Sequence, residues 1–259
     1  MRNSRKDVDS RQLNILNLVR EQGEVRSEDI AKRYSISMMT VRRDLQLLEE
    51  RRLLKRTHGG AVSFEKGYSL DGISADVTRC RNKISEYAAT LVETGNHIFI
   101  NGSRTALNLL KYVRDKNVMV CTNNGWALGE EYPGGVNVKF TGGEARDMIM
   151  VGELTMRNLL ELTVDKTFLG CASVYDDGKF QYNIPNEIGI NEAMISRTRN
   201  ELFILADHTK IKRQEHRDDS YGSCSYERAL TLVTDEAADP IVIEKLRQYG
   251  MKIVLVPLD

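Results

Sequence analysis

Apolar residues recur at helical spacing in three segments near the start of the chain, 11–23, 27–34 and 38–50. A spacing of three to four residues places apolar side chains on one face of a helix, so the pattern predicts three short amphipathic helices. Gly23 is a stop signal for the first helix. Ser27 and Ser37 stand where the second and third helices begin, and we expect them to act as N-caps because a serine hydroxyl accepts a free backbone N–H.

The third predicted helix has distinct faces. At about 100° per residue, Val41, Leu45 and Leu48 fall on one narrow stripe. The polar face opposite and its flanks carry Met39, Thr40, Arg42, Arg43 and Gln46. The helix therefore buries its aliphatic stripe and directs Arg43 outward. A helix that only packs against a core needs no exposed arginine there, whereas a recognition helix in a DNA groove does.

The segment after this helix predicts a β-hairpin. Residues 53–57 and 61–64 read as two short strands, closed by Gly59 and Gly60, which we expect to supply positive φ. A helix, a short helix, a tight turn, a third helix and a hairpin make a winged helix-turn-helix. Its basic strand would lie on phosphates.

The predicted DNA-binding residues divide into two groups. Arg43, with Met39, Thr40 and Gln46, is expected to read bases, and Arg42 and the wing are expected to hold phosphates. The full set is Ser37, Met39, Thr40, Arg42, Arg43, Gln46, Lys55, Arg56 and His58. The alternative is a helical hairpin with solvated arginines, which this order of elements makes the weaker interpretation.

The rest of the chain alternates strands and helices from residue 76 onward. Continuous β-branched runs separated by helices predict a largely parallel sheet that is covered on both faces. The predicted fold class is therefore α/β, with a winged helix-turn-helix domain over residues 1–66, a linker over 67–75 and an α/β domain over 76–259. We expect the second domain to bind an effector and to form a dimer or a tetramer.

Charge supports a division into two parts. The 259 residues carry 37 basic and 37 acidic side chains, yet residues 1–66 hold 15 basic and 10 acidic ones, an excess of five positive charges. The remainder has the opposite excess of five. A basic head on an acidic body is typical of a domain that faces nucleic acid.

Several other classes of protein are disfavoured by the sequence. There is no apolar run of eighteen residues and no apolar h-region at the start, so neither a membrane span nor a secretory signal is predicted. The four cysteines lack a CxxC pair and are interpreted as reduced thiols of a cytosolic protein. The histidines show no metal spacing, and no cofactor or metal is predicted.

Polar residues follow four of the predicted strands. They form the segments Asn101-Gly102-Ser103-Arg104-Thr105, Thr122-Asn123-Asn124, Thr141-Gly142-Gly143 and Asp207-His208-Thr209-Lys210. Loops are often polar for local reasons, but ligands of parallel sheets bind beyond the carboxyl ends of the strands. Four such ends predict a pocket for a small polyhydroxylated anion, with its charge on the turn at residues 102–105.

The predicted effector-binding residues are Asn101, Gly102, Ser103, Arg104, Thr105, Thr122, Asn123, Gly142, Gly143, Asp207 and Lys210. The charge of the anion is expected on the turn after the first of these strands, and its hydroxyl groups near Asn123, Asp207 and Lys210. Trp126 is interpreted as a core residue rather than a pocket wall.

Both halves resemble the DeoR family of bacterial transcriptional regulators. The residues that carry the resemblance are Ser37, the T-V-R-R-D-L run at 40–45, R-T-H-G-G-A at 56–61, and the four strand-end segments together with D-K-T-F-L-G at 165–170. The resemblance implies a sensor domain similar in fold to ribose-5-phosphate isomerase and an effector that is a phosphorylated sugar or a related metabolite. Departures from the family pattern are Arg51-Arg52, Arg104 and the segment from Cys171.

The rival class is a sugar-phosphate isomerase, which needs a carboxylate base and a cation beside the substrate. Asp207 and Lys210 stand where the resembling isomerase has its own D-x-S-K segment, and they belong to the anion-holding part of such a site. The strand at 166–174, however, has no carboxylate until Asp176 and Asp177, and Glu187 is interpreted as a first-turn helix carboxylate. The sequence thus favours a repressor of a carbohydrate operon that the effector relieves. Activation, or a non-phosphorylated effector, remains the alternative for a regulator.

Overall fold

The computed structural model describes residues 5–22, 24–50, 53–57, 59–63, 75–146, 148–182, 186–216, 223–226 and 228–259. The chain divides into two compact units, residues 1–74 and 75–259. Of the predicted linker, residues 67–74 lie outside the described part of the chain. Within the described residues, no helix has the length and apolar character needed to cross a membrane.

The described residues of the first unit form three helices and a three-stranded antiparallel sheet in the order β1-β3-β2. Its elements are α1 (Arg5–Gln22), β1 (Glu24–Arg26), α2 (Ser27–Tyr34), α3 (Met38–Glu50), β2 (Leu54–Arg56) and β3 (Gly60–Ser63). The three helices and the two wing strands were predicted. Strand β1 was not, because three residues carry too little pattern to be read.

The apolar stripe of α3 forms the centre of this unit, as predicted. Val41, Leu45 and Leu48 are at most 2% exposed and pack with buried residues of α1, α2 and the sheet. Ser37 caps α3, since its Oγ accepts the backbone N–H of Thr40 at 3.1 Å. The prediction that Ser27 caps α2 is wrong. Ser27 is already helical and buried, and its own backbone N–H donates to Gly59 O at 2.8 Å.

The turn of the wing requires glycine at position 60 because of a backbone contact that the sequence does not indicate. Gly60 does not adopt the positive φ that we expected. Instead, a Cβ at this position would lie 2.0 Å from the carbonyl oxygen of Val25, on the unpredicted strand β1. Thr57 N donates to Gly60 O at 3.0 Å and closes the turn. The glycine therefore permits a close approach of two backbones.

A buried carboxylate ties α1 to α3. Asp44 is 2% exposed, and it accepts hydrogen bonds from Arg11 Nε at 2.6 Å, Arg11 Nη2 at 3.1 Å and Gln12 Nε2 at 3.1 Å. Hydrogen bonding to Asp44 raises the pKa of Arg11. Because a buried charge is stable only when it is paired, these contacts fix how the two helices pack.

The second unit is built on a seven-stranded sheet in the order β16-β15-β12-β9-β4-β5-β6, and every neighbouring pair is parallel. These strands are β4 (His97–Ile100), β5 (Val118–Thr122), β6 (Val136–Phe140), β9 (Val164–Gly170), β12 (Thr198–Leu205), β15 (Thr231–Asp235) and β16 (Lys252–Val256). The helices are α4 (Ala75–Thr90), α5 (Arg104–Asn108), α6 (Glu153–Glu161), α7 (Asn186–Ser196) and α8 (Pro240–Gln248). The predicted α/β class with a parallel sheet is confirmed.

Both faces of this sheet are buried, as the continuous apolar strands predicted. Ile98 and Ile100 belong to one apolar cluster, which includes residues of α4, whereas Phe99 between them belongs to the cluster that includes residues of α7. Phe168 and Phe203 stack on neighbouring strands, with ring centroids 5.0 Å apart. The alternation places one layer of helices against each face.

Some predicted boundaries are wrong, and two small sheets were missed. The pattern of residues 76–95 predicts a helix that ends at Gly95, but α4 ends at Thr90 and Gly95 lies in a turn with φ of 87°. Residues 186–200 likewise predict a single helix, but α7 ends at Ser196 and the chain enters β12 at Thr198. The missed strands are β7 (Glu144–Arg146), β8 (Ile149–Val151), β10 (Ser173–Tyr175), β11 (Phe180–Gln181), β13 (Ile211–Lys212) and β14 (Ser223–Cys224). Each has two or three residues, so pairing rather than local pattern creates it.

The backbone contact at Gly60 gives a direct test of the wing. We expect Gly60→Ala to lower the free energy of unfolding of the first unit by about 1–3 kcal/mol, because an added methyl group forces β1 and β3 apart. Urea unfolding of the whole chain is followed by far-UV circular dichroism. The fluorescence of Trp126, the only tryptophan, reports the second unit separately and should keep its midpoint.

Gly59→Ala is the matched control, since nothing lies within 4 Å of a Cβ at Gly59. Equal dichroism midpoints for the two variants would contradict the proposed contact between β1 and the wing turn.

Candidate DNA-binding face and effector site

The outward face of α3 presents the side chains expected to contact bases. Arg42, Arg43 and Gln46 are exposed, and Met39 is 81% exposed. Thr40 is half-buried, and its hydroxyl lies 2.9 Å from that of Ser37. This pair of hydroxyls completes the cap of α3, which holds the first turn of the helix in place.

The wing contributes further positive charge. Arg56 is exposed on β2, and its backbone N–H donates to Glu49 Oε1 at 2.8 Å, which ties the wing to α3. The side chain of Lys55 and the whole of His58 lie outside the described part of the chain. Arg26, on the unpredicted strand β1, is also exposed and was missed by the sequence analysis. Only the pairing of β1 with β3 shows that Arg26 belongs to this sheet.

The buried carboxylate of α3 does not cancel its exposed arginines. Asp44 directly follows Arg43 in sequence but points inward to Arg11 and Gln12. The recognition face of α3 therefore keeps two exposed guanidinium groups. Guanidinium groups suit this role because they form paired hydrogen bonds to guanine or to phosphate.

In the second unit, the strand order brings the predicted effector segments to one edge of the sheet. The segments that begin at Asn101, Thr122, Thr141 and Asp207 follow or end strands β4, β5, β6 and β12. Strand β9 lies between β4 and β12. Because all these strands are parallel, their carboxyl ends meet along this edge.

Asn101 joins the two central strands through its side-chain amide. Its Nδ2 donates to Gly170 O at 2.9 Å and to Asn191 Oδ1 at 3.1 Å. Its Oδ1 accepts the backbone N–H groups of Gly170 at 2.9 Å and Ser103 at 3.2 Å. Since Asn101 is 2% exposed and its amide is fully engaged, it positions the turn at 101–105.

The turn at 101–105 is packed closely against β9. Ser103 Oγ accepts the N–H of Ala106 at 3.2 Å and caps α5. A Cβ at Gly170 would lie 2.0 Å from Ser103 Oγ, so only glycine fits there. Thr105 is buried, and its carbonyl accepts the hydroxyl of Ser85 at 2.8 Å. Gly102 and Ser103 are half-buried and lie at the edge of the sheet.

The segment after β5 is also held by internal hydrogen bonds. Thr122 Oγ1 donates to Ile100 O at 2.6 Å and accepts Asn124 N–H at 3.1 Å. Asn123 Nδ2 donates to Met150 O at 3.2 Å, and Met150 N donates to Asn123 O at 2.7 Å. Asn124, part of the predicted strand-end segment but not of the predicted effector-binding set, donates through Nδ2 to Ser103 O at 3.2 Å. These side chains place the β7–β8 hairpin against the strand ends.

Gly142 and Gly143 shape the turn after β6. Their φ angles are 68° and 111°, which favour glycine, and a Cβ at Gly143 would lie 2.3 Å from Thr155 Oγ1. Thr155 Oγ1 donates to Gly142 O at 2.6 Å. A cleft of about 450 Å³ lies between this turn and the start of α6, and Arg157 lines it. Of the predicted effector residues, only Gly143 lines this cleft.

Arg104 lies over the face of Trp126, with its guanidinium carbon 4.5 Å from the ring centroid. Both side chains are half-buried. The electron-rich face of the indole attracts the cation and restricts its position. Trp126 is therefore more than a core residue, because it supports a charged group beside the strand ends.

Asp207 is fully buried at the end of β12 and forms an ion pair. It accepts Arg81 Nε at 2.7 Å, Thr209 N–H at 3.1 Å and the Thr209 hydroxyl. Burial alone would raise the pKa of Asp207, but Lys210, Arg81 and the bonds from Thr209 outweigh it and the pKa is lowered. The carboxylate is thus held ionised, which suits an anchor rather than a proton acceptor.

Lys210 is the half-buried cation of this site. Burial lowers the pKa of Lys210, and the nearby Cys171, Asp207 and Glu187 oppose that effect only in part. Among the described residues, no hydrogen bond or ion pair of its side-chain amine is found. An anion placed beside this amine would supply a missing partner.

Glu187, which the sequence indicates only as a first-turn carboxylate, lies beside the candidate effector site. It does stand in the first turn of α7, but its Oε1 lies 3.3 Å from where a Cβ of Gly102 would be. It also acts electrostatically on Lys210. No sequence signal links Gly102 to Glu187, because the fold alone brings α7 to the strand ends.

The carboxylates that an isomerase would need are committed elsewhere. Asp176 is 4% exposed, pairs with Lys245 Nζ at 2.7 Å and accepts Gln214 N–H at 2.8 Å. Burial acts to raise its pKa, but these contacts outweigh burial and lower it. Asp176 and Asp207 are therefore both paired carboxylates, which makes each a poor general base at neutral pH.

Comparison with known proteins agrees with the division of the chain into two units. The DeoR-like helix-turn-helix domain matches residues 11–67, and the DeoR C-terminal sensor domain matches residues 77–236. The chain is 29% identical over 257 residues to an uncharacterised HTH-type transcriptional regulator, YulB, of Bacillus subtilis, covering 97% of this chain and 98% of that protein. It is 27% identical to the glycerol-3-phosphate regulon repressor of Escherichia coli, covering 77% and 81% of the two chains.

Among solved structures, ribose 5-phosphate isomerase A of Methanocaldococcus jannaschii matches with a TM-score of 0.38 and 16% identity, over 52% of this chain and 55% of that one. The sensor-domain family by itself spans more than half of the chain, and the helix-turn-helix family matches the first unit. The protein therefore belongs to the DeoR family of transcriptional regulators.

Proposed function

We propose that the protein is a cytoplasmic repressor that binds operator DNA and is released from it by a phosphorylated sugar or a related metabolite. The proposal rests on one observation, that two features occur in the same chain. Helix α3 carries exposed arginines, and the strand-end site of the second unit contains a half-buried lysine. Exposed Arg43 gives the first unit a means to read DNA. Lys210 gives the second unit a means to sense an anion.

On DNA, α3 lies in the major groove in this proposal. Arg43, Met39 and Gln46 face base edges, and Arg42 and Arg56 hold phosphates together with Lys55 and His58. Arg26 joins the phosphate contacts from the neighbouring strand. Two or four copies of the chain present paired recognition helices to a repeated or palindromic operator.

In the proposed effector site, two cations, Lys210 and Arg104, bind the phosphate. The phosphate lies on the turn at Gly102 and Ser103, as the sequence predicts, but Lys210 binds it there instead of binding the sugar hydroxyls. Arg104, restrained by Trp126, adds a second donor. Glu187 accepts hydrogen bonds from sugar hydroxyls. Asn101, Thr122, Asn123 and Asp207 keep these groups in place through their internal bonds. A relative named for a glycerol-3-phosphate regulon supports an effector of this chemical class.

The effector must bind the state that does not hold the operator better than the state that does. Loosening the operator complex a hundredfold requires about 2.7 kcal/mol of differential binding energy. One or two charge-assisted hydrogen bonds that form in only one state are enough to provide it.

Arg43 is the test of base reading. We expect Arg43→Ala to reduce the preference for operator over unrelated DNA by about 5- to 150-fold, because a bidentate arginine–guanine contact discriminates by about 1–3 kcal/mol. Affinity for unrelated DNA should fall much less. Fluorescence anisotropy with the promoter beside the protein's own gene, at fixed salt, measures both affinities.

Arg33→Ala is the matched control, since it removes one exposed positive charge from α2 instead of α3. An Arg43→Ala protein with unchanged operator preference would rule out the recognition role of α3.

Lys210 is the test of effector sensing. We expect Lys210→Met to bind operator as tightly as the wild type but to need at least about tenfold more sugar phosphate for release, because one charged hydrogen bond contributes about 1.5–3 kcal/mol. A panel of sugar phosphates is titrated into the operator complex. Trp126 fluorescence in the free protein reports the same binding, since Arg104 lies against the indole.

Lys139→Met is the matched control, an exposed lysine on β6 of the same sheet. A fully responsive Lys210→Met protein would place the effector elsewhere, and the cleft beside Gly143 is then the next site to test.

A further inference from the structure

Three potential metal ligands from distant parts of the chain meet behind the Asp207–Lys210 segment. Cys80 comes from α4, His208 from the short helix after β12 and Asp235 from the end of β15. The cysteine sulfur, a ring nitrogen and a carboxylate oxygen all lie within 4.8 Å of one another. Cys80 and Asp235 are buried, and the side chain of His208 is 26% exposed.

Hydrogen bonds already organise this cluster around Asp235. His208 Nδ1 lies 2.8 Å from Asp235 Oδ1, and His208 N–H donates to Oδ2 at 2.8 Å. The sulfur of Cys80 lies within 4.8 Å of a carboxylate oxygen of Asp235. Burial raises the pKa of Cys80 to about 11, and the carboxylates of Asp235 and Asp207 add to the effect. The sulfur is therefore protonated at neutral pH.

We propose that Cys80, His208 and Asp235 bind one divalent transition-metal ion of the zinc type. Thiolate, imidazole and carboxylate are the ligands that Zn²⁺ takes in proteins. Ligand atoms around a tetrahedral Zn²⁺ lie about 3.5 Å apart. The 2.8 Å pair of His208 and Asp235 therefore has to open slightly, while the wider separations close by about 1 Å. Buried side chains tolerate shifts of this size.

The site has an accessible side and a free coordination position. His208 is partly exposed, which gives the ion a route of entry. Three protein ligands leave a fourth position for water or another small ligand, unlike a closed structural site of four protein ligands. Because His208 stands between Asp207 and Thr209, the ion would also fix the segment that carries Lys210.

Proton balance follows from the ligands. When the sulfur–metal bond forms, the thiol of Cys80 loses its proton to solvent. Binding of one ion therefore releases one proton from Cys80, which a weakly buffered titration can count.

The test uses Co²⁺ as the probe, on the untagged full-length protein kept in a metal-free reductant. We expect one Co²⁺ per chain, with a sulfur-to-cobalt charge-transfer band, tetrahedral visible bands and displacement by Zn²⁺. Cys80→Ser should remove the charge-transfer band and weaken binding at least about 100-fold, since even indirect ligand partners contribute 10- to 100-fold. His208→Asn, which keeps a hydrogen-bond donor for Asp235, should weaken binding similarly.

Cys224→Ser is the matched control, because Cys224 is a half-buried thiol outside the cluster. It should keep both the band and the affinity. Thermal melts without metal check that each variant is folded. If Cys80→Ser does not fold, the Co²⁺ affinity of His208→Asn tests the proposal instead. Absence of Co²⁺ binding, or a charge-transfer band that survives Cys80→Ser or disappears in Cys224→Ser, would overturn the proposal.

Discussion

The second unit depends on one amide, that of Asn101, which joins strands β4 and β9 where their carboxyl ends meet. All of its hydrogen-bonding groups face protein partners, including both backbone groups of Gly170. A buried polar network of this kind is stable because it is satisfied, and it would be costly with any member missing. The same amide fixes Ser103 and hence the turn beside Lys210. The geometry of the candidate effector site is thus set by a side chain that does not itself face the ligand.

This constraint separates two kinds of polar residue at the strand ends. Asn101, Thr122, Asn123 and Asp207 are buried and bonded within the fold, so they position their neighbours. Gly102, Ser103, Arg104 and Lys210 are half-buried and can meet a ligand. The ion pair of Arg81 with Asp207 leaves Lys210 as the cation next to Glu187. The strand-end motifs contain both buried positioning residues and half-buried residues that can meet a ligand, and only the burial seen in the structure distinguishes the two.

Much of the fold could be predicted from regular sequence patterns. The rest could not, because it depends on very short strands and on contacts between residues far apart in the chain. The stripe of Val41, Leu45 and Leu48 and the apolar parallel strands each rest on several residues that give the same signal. Strand β1 has three residues and exists because β3 offers it a partner, so its role in requiring Gly60 could not be read. Glu187 meets Gly102, and Cys80 meets Asp235, across chain separations that no local pattern spans.

The two inferred ligand sites share one short element, the helix at His208–Lys210. Asp235 holds His208 at its start, and Asp207 caps it through Thr209 N–H. Lys210 ends it with its amine at the strand edge. Because a three-residue helix has few internal bonds, its position is determined by these carboxylates. A metal bound to His208 and Asp235 and an anion bound to Lys210 therefore act on the same backbone. Any energetic coupling between them must be reciprocal, so each ligand would change the affinity of the other by the same factor.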